Sequence, residues 1–137
     1  MDQQELFVNN NGKIISNNGP SIMAGNRAYT YGDGLFESLR ILNGKVLNME
    51  QHFHRLVEGA KVLKMRMPSF YTPEFFEQHI AELIKLSKIE EGGRVRLSID
   101  RLGGGTYLPE VNEVSYFIEV YPLENNLFGL NAKGLEV

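Results

Sequence analysis

The spacing of hydrophobic and polar residues changes period several times along the chain. Val95, Leu97 and Ile99 alternate with Arg94, Arg96 and Ser98. A period of two places one row of side chains on each face of a strand, so the pattern predicts strands over Arg94–Arg101 and, further on, Val114–Tyr121. Upstream the period lengthens. Phe53, Leu56, Val57, Ala60 and Leu63 recur at helical spacing, and so do Phe76, Ile80, Leu83 and Ile84; each set forms one apolar stripe on a helix. The second stripe stops at Ile84, because its next position is the polar Ser87. Shorter β-like runs lie nearer the start. Glu5–Val8 and Lys13–Ser16 surround "NNNG", and Leu35–Leu42 and Lys45–Leu47 flank Asn43-Gly44. An Asn-Gly pair between such runs marks a hairpin, since both residues tolerate positive φ.

The punctuation supports these elements. Asn48, with Gln51 three residues on, reads as the cap of the first helix, and Pro68 marks the end of that region. Thr72, Pro73 and Glu74 form a stronger start signal: a capping hydroxyl, a proline at the first helical position and an acid at the positive end of the dipole. Gly92-Gly93 is expected to close the second helical segment. "SNNGPSIMAGN" and "GGGTYLPE" read as loops. Strands, two helices, then strands again imply an α+β domain, a largely antiparallel sheet with both helices on one face. The final "LEV" resembles a strand just beginning. The expected division is therefore a small N-terminal domain over residues 1–122 and, over 123–137, a linker and the start of a truncated second domain.

Composition removes several function classes. At 137 residues, 42% of them hydrophobic, the chain suits one domain with a real core. No window approaches the roughly 18 apolar residues of a membrane span, and "MDQQELF" lacks the features of a secretory signal. The absence of cysteine excludes disulfides and thiolate metal sites and fits a cytoplasmic location. A net charge of −3 with scattered basic residues argues against nucleic acid as a partner. His52 and His54, two apart, diverge on a helix and make a poor metal pair.

Three groups of residues invite a chemical reading. In "YTYGDG" and just after it, Tyr31 and Phe36 either belong to a tight turn and the hairpin it leads into, or wall a pocket beside a close backbone approach. In "EQHFHRL", His52 and Arg55 lie three apart, on neighbouring parts of a helix. Arg55 either snorkels to solvent or turns its planar fork to a phosphate. In "GRVRLSIDRLGGG", Arg94 and Arg96 share one strand face and Arg101 has the opposite parity. The first two are either solvated or positioned for a substrate carboxylate. The glycines after Arg101 lack the Lys and Ser/Thr of a phosphate-binding P-loop, and no catalytic nucleophile pattern is present.

In this order, "NRAYTYGDGLFESLRILNGKVLNMEQHFHRLVEGAKVLKM" followed by "VRLSIDRLGGG" resembles the N-terminal part of the class IV aminotransferases. These are the fold type IV pyridoxal-phosphate enzymes, a family that also contains the aminodeoxychorismate lyases. The resemblance implies that Arg55 grips the cofactor phosphate and that Tyr31 and Phe36 line the pocket near the substrate side chain. It implies that Arg96 is a pocket arginine and Arg101 a carboxylate-binding one; basic residues at both positions lean toward the lyases. The implied whole protein binds pyridoxal 5′-phosphate, acts on an amino acid as its small-molecule substrate and is a homodimer. In this family the Schiff-base lysine belongs to a second domain. Lys133 does not match it, so by this reading no catalytic residue lies in residues 1–137 and the chain alone is expected to be inactive. The alternatives are a lyase of the same family and a non-catalytic binding module.

Overall fold

The computed structural model describes residues 5–17, 32–103 and 111–122. Its elements are β1 (Phe7–Asn10), β2 (Lys13–Ser16), β3 (Gly34–Leu42), β4 (Lys45–Val46), α1 (Met49–Val62), α2 (Pro73–Ser87), β5 (Gly92–Arg101) and β6 (Val114–Pro122). Six strands form one sheet in the order β2-β1-β6-β5-β3-β4, with every neighbouring pair antiparallel. The α+β architecture expected from the sequence is the one observed.

Both Asn-Gly turns form as their chemistry dictates. Asn11 and Gly12 have φ of 52° and 99°, and Asn43 and Gly44 have φ of 52° and 78°. Two successive positive values match the right-handed twist of the flanking strands. Thr72 caps α2, its Oγ1 accepting a hydrogen bond from the Phe75 amide at 3.1 Å. Asn48 departs from expectation. It precedes α1 but has φ 59° and ψ 37° and makes no side-chain cap, because a capping side chain reaches the first helical amides from extended, not left-handed, backbone.

Two further expectations are corrected. Gly92 and Gly93 do not end a helical segment; they open β5. A Cβ at Gly93 would lie 2.3 Å from the Tyr121 carbonyl oxygen, so the close approach of β6 admits only glycine there. The first strand runs two residues later than its hydrophobic run, including Asn9 and Asn10. Asn9 is buried on the helix side because its amide is satisfied. Its Oδ1 accepts from the Gly12 amide at 2.7 Å and its Nδ2 donates to His79 Nδ1 at 3.3 Å.

The core lies between the sheet and the two helices. Leu39 and Ile41 of β3, Val95, Leu97 and Ile99 of β5, and Ile118 and Val120 of β6 meet Leu56 and Ala60 of α1 and Phe76, Ile80, Leu83 and Ile84 of α2. Ser87, where the apolar stripe stopped, is fully buried and accepts a hydrogen bond from the Phe7 amide at 3.0 Å. A polar residue is required there because the end of β1 needs a partner. Among the described residues no helix is long and apolar enough to cross a membrane.

An aromatic cluster closes one end of the core. Tyr71 stacks on Phe75 and meets Phe76 and Tyr116 edge-on, with ring centroids 5.2–5.7 Å away. Burial, reinforced by neighbouring Tyr116, pushes the Tyr71 hydroxyl up to about 12. The unfolded chain releases this proton near pH 10 while the folded chain still holds it. The stability that this tyrosine contributes is therefore whole below about pH 10 and lost as pH rises toward about 12. Urea titrations at increasing alkaline pH should show midpoints falling through that window, and Tyr71→Phe should flatten the fall.

Candidate functional site

β3 carries a break in its own pattern. Leu35, Glu37, Leu39 and Ile41 all face the helices, and three of the four are apolar. Glu37 is nevertheless buried, at 6% exposure. A carboxylate in such a place needs compensating charge and hydrogen bonds, and α1 supplies both. The β3–β4 hairpin sends α1 back across β3. The two come together where Gly59 meets Leu35; a Cβ at Gly59 would lie 3.1 Å from the Leu35 methyl. That packing presents one stripe of α1 to Glu37. His52 Nδ1 lies 3.1 Å and Arg55 Nε 3.3 Å from the same oxygen, Glu37 Oε1.

The two ends of the Arg55 guanidinium thus have different surroundings. Nε is tied to a carboxylate whose side chain is 7% exposed, while the Arg55 side chain is 75% exposed. Its terminal Nη1 and Nη2 have no partner among the described residues. A guanidinium held at Nε keeps an outer edge of parallel N–H donors that fits two oxygens of a phosphate or carboxylate. His52 arrives at the same carboxylate because it lies three residues before Arg55, the spacing seen in the sequence.

Phe36 and Arg96 project from the other face of the sheet. They come together: the Arg96 guanidinium carbon stands 4.2 Å from the centre of the Phe36 ring. Phe36 is 56% exposed. Both border a shallow depression of about 130 Å³ with Gly32, Gly34, Ser98 and Asp100. Arg94, two residues along, lies over the Tyr121 ring at 5.0 Å. A guanidinium over a ring face is attracted by the ring's quadrupole and still has N–H donors to offer an anion. Neither arginine has a carboxylate within ion-pair distance among the described residues.

Arg101 is placed differently. Its parity puts it on the helix side, where it is 5% exposed. Its Nε donates to both Asp33 oxygens at 3.1 and 2.9 Å, and its Nη1 to Asn112 Oδ1 at 2.6 Å. Nη2 donates to the Leu63 carbonyl, and the Arg101 amide to the Asp33 carbonyl at 3.2 Å. One side chain therefore joins the turn before β3, the residue after α1 and the segment before β6. Tyr31 and Lys133 lie outside the described residues. A cavity of about 570 Å³ between the β3–β4 hairpin and α2 is lined by Lys45, Val46, Glu74 and Glu77 among others. None of Phe36, Arg55, Arg96 and Arg101 borders it.

Sequence reasoning missed Glu37 and Asp33 as partners of the arginines. Glu37 left a signal, an acid at the inward position of a strand whose other inward residues are apolar. Asp33 left none beyond its turn chemistry.

Comparison with known proteins adds independent findings. Residues 34–132 match the family described as amino-transferase class IV. The chain is 31% identical over 89 residues to a D-alanine aminotransferase of Staphylococcus haemolyticus, covering 65% of this chain and 30% of that protein. It is 29% identical over 83 residues to the D-alanine aminotransferase of Bacillus licheniformis, 61% of this chain and 29% of that protein. Among solved structures, the branched-chain aminotransferase of Escherichia coli superimposes with a TM-score of 0.76 at 19% identity, over 96% of this chain and 43% of that one. That of Thermoproteus uzoniensis, solved with norvaline, gives 0.74 at 21%, over 92% and 42%. The chain thus spans about 30% of the length of the curated relatives it matches.

Proposed function

This chain belongs to the class IV aminotransferases, and on that premise we propose that it forms the N-terminal lobe of a pyridoxal-phosphate-dependent aminotransferase acting on a small amino acid, with D-alanine the first substrate to test. The observation that carries this reading is the Arg55 fork, held at Nε by a buried carboxylate and open at its outer edge. That arrangement fits the phosphate of pyridoxal phosphate. It offers two charge-assisted donors at a solvent-accessible place, beside a buried carboxylate that pairs with Nε.

When bound, the cofactor supplies an electron sink for chemistry at the substrate α-carbon. This chain's own residues bind and orient. Arg55 takes the phosphate and Glu37 fixes its angle. Phe36 and Arg96 receive the substrate, the ring backing the guanidinium while its free edge meets a carboxylate; Tyr31 stands with them in this reading. Arg101 does not. Its fork is turned to Asp33, Asn112 and Leu63, which supports a role in organising the site. This reading assigns no proton transfer at the substrate to this lobe. The same reading makes the whole gene product a cytoplasmic homodimer, with residues 123–137 leading toward its second lobe.

The test is direct. The whole gene product, supplied with pyridoxal phosphate, D-alanine and a 2-oxo acid acceptor, should release pyruvate. A folded product that transfers no amino group from D-alanine or from branched-chain amino acids would overturn the aminotransferase reading and leave the lyase and binding-module alternatives.

A further inference from the structure

We propose that His52 makes the Arg55 site proton-linked: an anionic phosphate ester bound at Arg55 favours the charged form of the imidazole. The inference rests on the reading of Arg55 as the phosphate grip and extends it to how the site's charge is set. Glu37 Oε1 is shared, at 3.1 Å from His52 Nδ1 and 3.3 Å from Arg55 Nε. A carboxylate oxygen accepts hydrogen bonds, so Nδ1 of His52 carries a hydrogen in either charge state. The titrating atom is Nε2.

Two consequences follow. Gain or loss of the proton leaves the His52–Glu37 hydrogen bond in place, so the geometry around Arg55 persists. The local charge nevertheless changes. Arg55, Glu37 and neutral His52 sum to zero; with His52 protonated they sum to +1. An incoming phosphate dianion meets a neutral cluster in the first case and an attractive one in the second. By linkage, the form that binds the anion better is the form that the anion stabilises.

Among the described residues, the charged group paired with His52 is Glu37 from β3, which also pairs with Arg55 of α1. The neighbouring inward sheet positions, Leu35, Leu39 and Leu97, are apolar. The His52 side chain is 25% exposed, which leaves it a path for exchanging a proton with water.

The experiment titrates pyridoxamine 5′-phosphate, which carries no aldehyde and forms no bond to a lysine, into the whole gene product. Calorimetry in two buffers of different ionisation enthalpy counts the protons taken up on binding. His52→Asn keeps an amide donor near the Nδ1 position for Glu37 but cannot take the charge. Since the ligand's own titration is common to both proteins, the difference isolates His52. Wild type should take up more protons than His52→Asn, by a large fraction of one per site. Its affinity advantage over the variant should shrink at least about threefold from pH 6.5 to 8.5, the upper range of histidine titration. If His52→Asn fails to fold, the imidazole C–H resonances of wild type answer the same question: the His52 titration should move to higher pH when ligand is added. Equal proton uptake by folded, ligand-binding wild type and His52→Asn, or a His52 titration that ligand leaves unmoved, overturns the proposal. Arg55→Ala separates it from the reading beneath: undiminished binding in that variant removes the phosphate grip itself.

Discussion

Replacing Arg55 by alanine in the whole gene product should weaken pyridoxal phosphate binding about a hundredfold while leaving the fold intact, because two charge-assisted hydrogen bonds of roughly 1.5 kcal/mol or more each are lost. The fold is spared for two reasons. The Arg55 side chain is largely exposed, so its removal opens no cavity. Glu37 also keeps His52 as a partner on the same oxygen. Arg55→Lys should recover only part of the affinity, since an ammonium supplies charge without the planar fork and without an Nε for Glu37. Fluorescence titration gives the affinities, and thermal melts of the same samples confirm folding. A folded Arg55→Ala protein with unchanged affinity would exclude this arginine from the phosphate site.

Arg101→Ala should have the opposite signature. Removing one member of a buried ion pair is strongly destabilising, at about 3–5 kcal/mol. Here Asp33, whose side chain is 13% exposed, loses the guanidinium that bonds both of its carboxylate oxygens. Asn112 Oδ1 and the Leu63 carbonyl also lose their donors. A loss of that size is a large share of the 5–15 kcal/mol that holds a typical domain together. Arg101→Lys should rescue little, since one ammonium cannot span three segments. Urea denaturation measures the change. If Arg101→Ala instead melted like wild type and raised only the KM for substrate, Arg101 would belong with the substrate-binding residues after all.

Much of this architecture is legible in the residues themselves, and where it is not, the reason is physical. Local chemistry located the Asn-Gly turns and the Thr72 cap, because those signals act within a few residues. Alternation along β5 put Arg96 and Arg101 on opposite faces, and they stand so. The hairpin, helix and HxxRL order of the first block was specific enough to indicate the family. What escaped depends on partners remote in sequence. Nothing near Asn9 says that His79 will satisfy it, so the first strand was placed over its apolar residues and missed its polar end. Gly93 looks like a helix terminator until β6 is brought against it. Arg101 reads as free for a ligand until Asp33, 68 residues away, is seen to hold it. The pairing of Phe36 with Arg96 joins residues directly adjacent neither in sequence nor in strand register; Phe36 is paired with Ser98.

The two arginine assemblies also differ in what the polymer must do to make them. His52 reaches Glu37 across 15 residues, while Arg101 reaches Asp33 across 68. That is about two doublings of loop length, or roughly 1.3 kcal/mol of additional closure entropy. The carboxylate–cation pair on β3 and α1 is consequently a local unit, attainable by a hairpin and its following helix before the sheet is complete. The buried clamp requires that β5 has already docked beside β3, and its presence marks a chain whose distant halves have met.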